Sequence, residues 1–331
     1  MRRDIDIADV TREAAVSFSS SRILGRIFAI FHSVRPLGAF VLAALGRAIL
    51  LAVVVMLPAC SVIKITYNQA PELLYWYFDA YADFTGAQSP QVKAELNRLQ
   101  AWHRQTQLPG YALLLQDARR QVLGDLSPSQ ACAIFADVRS KLLVVYGRAE
   151  PTVALLAVSL DASQLMHMER RFAKGNAEYR DDFLDAPPEA VRGQRLKKAV
   201  SRAEMLYGRL DDRQVAMVGR MIDESGFNAA RSYAERLRRQ RDLLETFRQL
   251  LARPAAEKTD GPVKAVQGLM ERSVTSPDAS YRDYLEKLTA DNCKSFSDLH
   301  NATSTAQRNK AAAILNGYEK DLAVLAGQSG G

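Results

Sequence analysis

Apolar residues recur at intervals of three and four along almost the whole chain after residue 67. Leu196, Val200, Ala203, Leu206 and Leu210 form one such series, and charged residues fall on the other sides of the same segment. This spacing is typical of an amphipathic helix, which completes a turn in 3.6 residues. No segment shows the sustained alternation of a half-buried strand. The sequence therefore predicts an all-α fold, a multi-helix bundle or irregular array of helical hairpins in a single domain.

A helix-start pattern occurs four times: an apolar residue, then Ser, Thr or Asp, two further residues, and Gln. The polar residue and the glutamine are Thr85 and Gln88, Ser127 and Gln130, Asp161 and Gln164, and Asp211 and Gln214. In a capping box the first side chain accepts from the backbone N–H three residues on, and the glutamine bonds back to the cap's own N–H. The starts are unevenly spaced, which argues against a strict tandem repeat and favours successive helical hairpins.

Breaks in these patterns divide the chain into five parts. Proline and glycine residues cluster at Pro254, Gly261 and Pro262 and indicate a linker. The predicted parts are a leader over 1–59, a helical main body over 60–253, a linker over 254–262, C-terminal helices packed on the main body over 263–326, and a flexible tail over 327–331.

The segment before Cys60 has the features of a secretory signal. Arg47 precedes ten apolar residues, 48–57, which make about 15 Å of helix, half of the roughly 30 Å of a bilayer core. The residues Leu57-Pro58-Ala59-Cys60 resemble a lipobox, the motif at which bacterial lipoproteins are acylated on cysteine and cleaved just before it. We therefore expect Cys60 to be the lipidated first residue of the mature protein. Ser61 follows it and favours the outer membrane, facing the periplasm.

Two features of the leader leave alternatives open. An uncleaved signal anchor over 37–59 would place Arg47 inside the membrane, which costs a few kcal/mol. The leader is also longer than a signal needs, and Pro58 is an unusual residue two positions before the cysteine.

Two cysteines follow Cys60, namely Cys132 and Cys293. An even number in an exported chain indicates a disulfide, and two separate buried thiols are the other interpretation. A disulfide would fix the C-terminal helices to the main body.

Motifs for catalysis are scarce. The part after the leader has three histidines, His103, His167 and His300, without metal-ligand spacing, and no glycine-rich phosphate loop. We expect no enzyme activity, no metal site and no cofactor. The net charge of +7 is partly due to the leader, and an exported protein does not meet nucleic acid, so nucleic-acid binding is not expected either.

An aromatic segment begins 13 residues after Cys60 and includes Tyr75, Trp76 and Tyr77. Its aromatic side chains cover every side of a helix, interrupted by Asp79 and Asp83. Such a helix is either buried in the protein or lies in a membrane interface, where Tyr and Trp are common. The two aspartates lie one turn apart and could bind a cation or pair with arginine.

A second candidate binding surface is the arginine-rich helix predicted over 228–253. The arginines proposed to contact anionic headgroups or an acidic partner are Arg231, Arg238, Arg239, Arg241 and Arg248. An ordinary solvated helix face is the alternative.

The chain resembles a family of uncharacterised proteobacterial lipoproteins that is known only as a domain of unknown function. The resemblance rests on residues 60–64, Tyr67-Asn68, Trp76 with Asp79, Tyr81, Asp83 and Phe84, on Gln88-Ser89-Pro90 and Trp102-His103, and on Glu169-Arg170-Arg171-Phe172 with Asn176 and Tyr179. It implies a location and a fold, and no catalytic residue. A weaker likeness is to periplasmic helical chaperones of the Spy and CpxP type, which carry similar Leu-Thr-x-x-Gln segments.

These features together predict a non-enzymatic lipoprotein of the cell envelope. Its expected partners are the membrane, through the lipid anchor, and envelope proteins or anionic envelope components. A chaperone that holds unfolded envelope proteins is the alternative and requires an exposed apolar face. A metal-binding or hydrolytic enzyme is the least favoured.

Overall fold

A computed structural model describes residues 62–252 and 261–327. Within these ranges the chain forms twelve helices and no strand, which confirms the predicted all-α class. The helices are α1 (Val62–Asn68), α2 (Ala70–Ala82), α3 (Ser89–Thr106), α4 (Leu108–Gln121), α5 (Pro128–Ala157), α6 (Ala162–Phe183), α7 (Pro188–Tyr207), α8 (Asp212–Glu224), α9 (Ala229–Ala252), α10 (Gly261–Val274), α11 (Ala279–Asn301) and α12 (Thr305–Gly327).

Several predictions fall wholly or partly outside the described residues. They are the leader, the lipidation of Cys60, most of the linker, and the end of the tail. The chain divides into two compact units between Ala70 and Pro71. Of the earlier unit the structure describes α1 and the residues up to Ala70, and all later helices belong to the other unit. No helix within the described ranges combines the length and the apolar character needed to cross a bilayer.

The 30-residue helix α5 is about 45 Å long and contacts helices that are distant from it in sequence. α10 and α11 pack along it, and α3 and α9 also contact it. α10–α12 therefore pack on the preceding helices, since α12 in turn lies against α4 and α7.

Two clusters of buried apolar side chains form the core. The first joins the C-terminal ends of α2 and α5 to α6, α9 and α10, and its members are Ala82, Ala154, Ala157, Leu160, Leu165, Met168, Phe172, Leu244, Phe247, Leu250, Val266 and Leu269. The second joins α7, α8, α11 and α12, and contains Val122, Tyr207, Leu210, Val218, Leu299 and Ala311. Leu210 of the predicted helical stripe lies in the second cluster, and the other residues of that stripe, Leu196, Val200, Ala203 and Leu206, pack against it.

The predicted disulfide between Cys132 and Cys293 is present and connects α5 to α11. Neighbouring polar contacts strengthen the same junction. The hydroxyl of Ser297 donates to the carbonyl of Leu126 over 2.6 Å, and Asn301 both donates to that carbonyl and accepts from the Leu126 N–H. The start of α5 is therefore fixed to α11 by a covalent bond and by hydrogen bonds.

All four predicted capping boxes have their reciprocal bonds. Ser127, Asp161 and Asp211 cap α5, α6 and α8 in this way. Thr85 and Gln88 exchange the same two bonds in the turn before α3. A fifth box, Ser304 with Gln307, precedes α12. The sequence pattern missed it because Thr303, and not an apolar residue, comes before Ser304.

Four of the box glutamines also join helix starts that are distant in sequence. Gln88 and Gln164 donate to each other's side-chain oxygens over 3.2 and 2.8 Å, and Gln214 and Gln307 do so over 2.8 and 2.9 Å. Each amide also donates to a backbone carbonyl two residues before its partner's cap, at Ser159, Asp83, Ala302 and Arg209. Each reciprocal pair of glutamine amides, Gln88 with Gln164 and Gln214 with Gln307, is called a glutamine clasp below. One clasp connects α3 to α6, and the other connects α8 to α12.

Candidate binding surfaces

The aromatic helix α2 presents large apolar side chains to solvent. Trp76 is 60% exposed, Tyr77 46% and Phe78 43%. Tyr75 points inwards, where its hydroxyl donates to Ser89 over 2.9 Å and the Lys93 ammonium lies 4.5 Å from its ring. Of the three predicted interface aromatics, Trp76 and Tyr77 therefore form part of the surface, and the interpretation that the whole segment is buried is wrong for these two.

The two aspartates of this segment have local roles at the end of α2. The carboxylate of Asp79 accepts the Phe84 N–H over 2.9 Å. Asp83 has a left-handed backbone with φ of 48°, and its carboxylate lies 4.0 Å from Nδ1 of His167. Within the described ranges no three His, Cys, Asp or Glu side chains come together in a way that could hold a metal ion.

Two of the five predicted binding arginines are used inside the protein. Arg238 and Arg239 both donate to the carboxylate of Glu235, which is only 4% exposed, with N···O distances of 2.8 Å. Burial raises the pKa of Glu235, but the hydrogen bonds and charges of the two arginines outweigh it and hold the pKa below its ordinary value. Because these guanidinium groups neutralise a buried carboxylate, they are not available to a partner.

A second carboxylate extends this network to α10. The Asp242 carboxylate forms a salt bridge with the Arg272 guanidinium over 2.7 Å and a second one with Arg238. Arg238 donates in addition to the backbone carbonyl of Arg272 over 2.7 Å. Arg238 and Asp242 of α9 therefore join this helix to α10.

The other three predicted arginines are exposed. Arg231 lies over the ring of Tyr284 at 5.5 Å, Arg248 pairs with Glu169, and Arg241 points to solvent. The structure thus reduces the predicted basic surface from five arginines to three, of which one is in an ion pair.

The middle of α5 is an apolar surface that the sequence analysis missed. Val138, Leu142, Leu143 and Val144 are between 36% and 48% exposed. No residue of this helix between Cys132 and Val153 is buried, although both ends of the helix are packed. The run Leu142-Leu143-Val144-Val145-Tyr146 could have revealed it, because five consecutive apolar residues cover all sides of a helix and cannot all face a core on one side.

The three histidines are each engaged separately. His300 is fully buried, with Nδ1 accepting from the Tyr207 hydroxyl and Nε2 donating to the Gly124 carbonyl, both over 2.8 Å. Burial lowers the pKa of His300, which favours the neutral ring. His103 lies 3.3 Å from the Tyr111 hydroxyl, and His167 donates to the Ala80 carbonyl. These contacts account for the histidines as structural residues.

Comparison with known proteins places the chain in one family. The sequence profile of a family of unknown function, DUF6279, matches residues 80–271. No curated protein and no solved structure matches the chain. The matched range covers more than half of the chain, from the end of α2 into α10, and includes the Gln88–Gln164 clasp and the buried Glu235. The chain therefore belongs to DUF6279, a family of unknown function.

Proposed function

We propose that this protein is a non-enzymatic lipoprotein that is tethered to the outer membrane through Cys60 and binds an envelope protein on the periplasmic side. The observation that carries the binding role is the exposed apolar middle of α5, at Val138, Leu142, Leu143 and Val144. Val138 and Leu142 are four residues apart and share one side of α5, with Leu143 and Val144 on the adjoining sides, and exposed apolar residues grouped in this way mark a contact surface for another molecule. The partner it fits is a protein with an apolar segment.

The tether rests on the sequence and on the disulfide. The apolar stretch 48–57 is too short to cross a bilayer and ends close to Cys60. The disulfide between Cys132 and Cys293 suits an oxidising compartment such as the periplasm, because thiols in the cytosol are kept reduced. Several acyl chains on one cysteine would hold the protein at the membrane, at about 0.8 kcal/mol per buried CH₂.

The proposal that the protein is not an enzyme is supported by the arrangement of its histidines. His300 has no exposed surface and is hydrogen-bonded to Tyr207 and Gly124, so its ring is not presented to a substrate. His103 and His167 are committed to separate contacts. This leaves surface recognition as the function that the fold supports best.

The binding role is tested by photocrosslinking in living cells with the full chain. A photoreactive amino acid is placed at Val144 on the exposed part of α5, and the matched control carries it at Ser201, an exposed position on α7. We expect a discrete adduct with an envelope protein from position 144 and none from position 201. Equal adducts from both positions, or none from position 144, would overturn the proposal.

The exposed stretch of α5 also favours a second candidate, a chaperone that holds unfolded envelope proteins. It would bind many apolar sequences with little selectivity, so position 144 would yield a ladder of adducts and the purified protein would suppress aggregation of an unfolded outer-membrane protein. A single adduct without such suppression favours the specific partner.

A further inference from the structure

Helix α2 carries a continuous apolar surface that is free of charge. Its buried residues, Pro71 and Ala82, are eleven positions apart and so share one face, since eleven residues make three turns. Trp76 lies about 140° around the helix from Pro71. Tyr77 and Leu74 lie about 240° and 300° around from Pro71. Phe78 is also exposed although it lies only about 20° from Pro71, so the exposed surface extends in the middle of the helix onto the face that is buried at both ends. The six residues 73–78 contain no charged side chain.

The acidic residues of the segment lie along one border of this surface. Glu72 and Asp79 are seven residues apart, which places them two turns apart on one side of α2, and Asp83 follows the last residue of the helix. Glu72 is paired with Lys93 over 3.1 Å, and Asp79 caps the end of the helix. The acids are therefore held beside the apolar surface and do not interrupt it.

The residue types of this surface fit one environment in particular. Tyr and Trp have an apolar ring with a polar group, and they concentrate where the hydrocarbon of a bilayer meets its headgroups. Trp76 follows Cys60 by sixteen residues, which span at most about 55 Å when extended and about 24 Å as helix. A lipid on Cys60 would thus keep this surface within reach of the membrane.

We propose that the exposed face of α2, formed by Leu74, Trp76, Tyr77 and Phe78, lies in the headgroup region of the membrane to which Cys60 is anchored. The proposal rests on the proposed tether. The exposed face of α2 adds a second membrane contact to the lipid on Cys60. Two contacts restrict the rotation of the helical body and give it a defined orientation at the membrane surface.

The chain offers a direct test because it contains two tryptophans, Trp76 and Trp102. The full-length gene carrying Trp102→Phe is expressed, and the protein is extracted from cells as processed there. It is reconstituted into vesicles of phosphatidylethanolamine and phosphatidylglycerol brominated at a shallow or a deep acyl position. We expect the emission of Trp76 to shift to the blue and to lose most of its intensity, with the shallow bromine quenching more than the deep one.

The control is Trp76→Phe, in which Trp102 is the reporter. Trp102 lies on α3 with the Arg148 guanidinium 5.8 Å from its ring, and we expect bromine in the lipid to leave its emission unchanged. Emission of Trp76 that is as insensitive to bromine as that of Trp102 would overturn the inference. A blue shift without quenching would also overturn it, because the leader or a second copy of the chain would then cover the surface.

Failure of this inference and failure of the tether are distinguishable in the same sample. Mass spectrometry of the reconstituted protein reports the state of Cys60 independently of fluorescence. An acylated Cys60 with unquenched Trp76 overturns the membrane contact of α2 alone. An unmodified Cys60 overturns the tether, and quenching of Trp76 would then support a contact that α2 makes without it.

Discussion

Gln88 and Gln164 donate to each other's side-chain oxygens while each closes the capping box of its own helix. Gln164 is buried and also donates to the carbonyls of Ala82 and Asp83 over 2.9 Å. One side chain thus satisfies groups at two helix ends that are far apart in sequence. The paired arrangement turns a local start signal into a tertiary contact.

Replacing Gln164 with Ala should lower the free energy of unfolding by more than the loss of a cap alone. A lost cap costs about 1 kcal/mol, and a buried polar group left without a partner costs a further 1–3 kcal/mol. Urea denaturation measures the difference. The matched control is Gln130→Ala, because Gln130 is exposed and closes its box without a partner glutamine in the described part of the chain. Equal losses in the two variants would contradict the clasp.

Removing the disulfide should destabilise the protein. Cys132 and Cys293 are 161 residues apart, and a loop of this length restricts the unfolded chain by about 5 kcal/mol on the chain-entropy estimate. Cys132→Ser combined with Cys293→Ser should therefore lower the Tm strongly, and reductant should lower the Tm of the parent protein but not that of the double variant. An unchanged Tm in the double variant would mean that the junction of α5 and α11 depends on the bonds of Ser297 and Asn301 alone.

Glu235→Gln should destabilise the protein at neutral pH and much less in acid. Removing the charge of one member of a buried pair costs about 3–5 kcal/mol, since Arg238 and Arg239 lose their counter-charge. The pKa of Glu235 lies below its ordinary value of 4.5, so its stabilising contribution is present above that pH and is lost as the pH falls through the folded-state pKa. The free-energy difference between parent and variant should narrow accordingly in denaturation at stepped pH. A difference independent of pH would show that packing, not charge, accounts for the effect.

The buried His300 should make stability fall on mild acidification. Burial lowers its pKa from the ordinary value of 6.5, so the unfolded chain takes up a proton more readily than the folded one. The free energy of unfolding should decline as the pH drops below 6.5, until the folded-state pKa is reached. His300→Ala removes this component, at a cost in stability at pH 8 because Tyr207 loses its acceptor. A parent protein with constant stability between pH 8 and 5.5 would contradict this account of the histidine.

The helices and their starts could be predicted because both are local properties of the sequence. The three-and-four spacing gave the apolar stripes, and Asp161 and Gln164 mark the start of α6 by their types alone. The pairing of Gln164 with Gln88 could not be predicted, because it depends on how helices separated by a loop come together in three dimensions.

The binding surfaces were predicted less well, for a physical reason. A run of arginines looks the same in sequence whether it faces solvent or a buried carboxylate. Arg238 and Arg239 pair with the buried Glu235 only once α9 is folded and packed. Trp76 and Val144 illustrate the reverse case. Apolar residues on every side of a helix leave open which side is covered, and packing decides it.

The most direct test of the tethered location is mass spectrometry of the protein extracted from cell membranes. We expect the most N-terminal peptide to begin at Cys60 and to carry acyl chains on that residue. A peptide in which residue 60 is internal and unmodified would contradict it, and the periplasmic location and the membrane contact through a lipid would have to be abandoned.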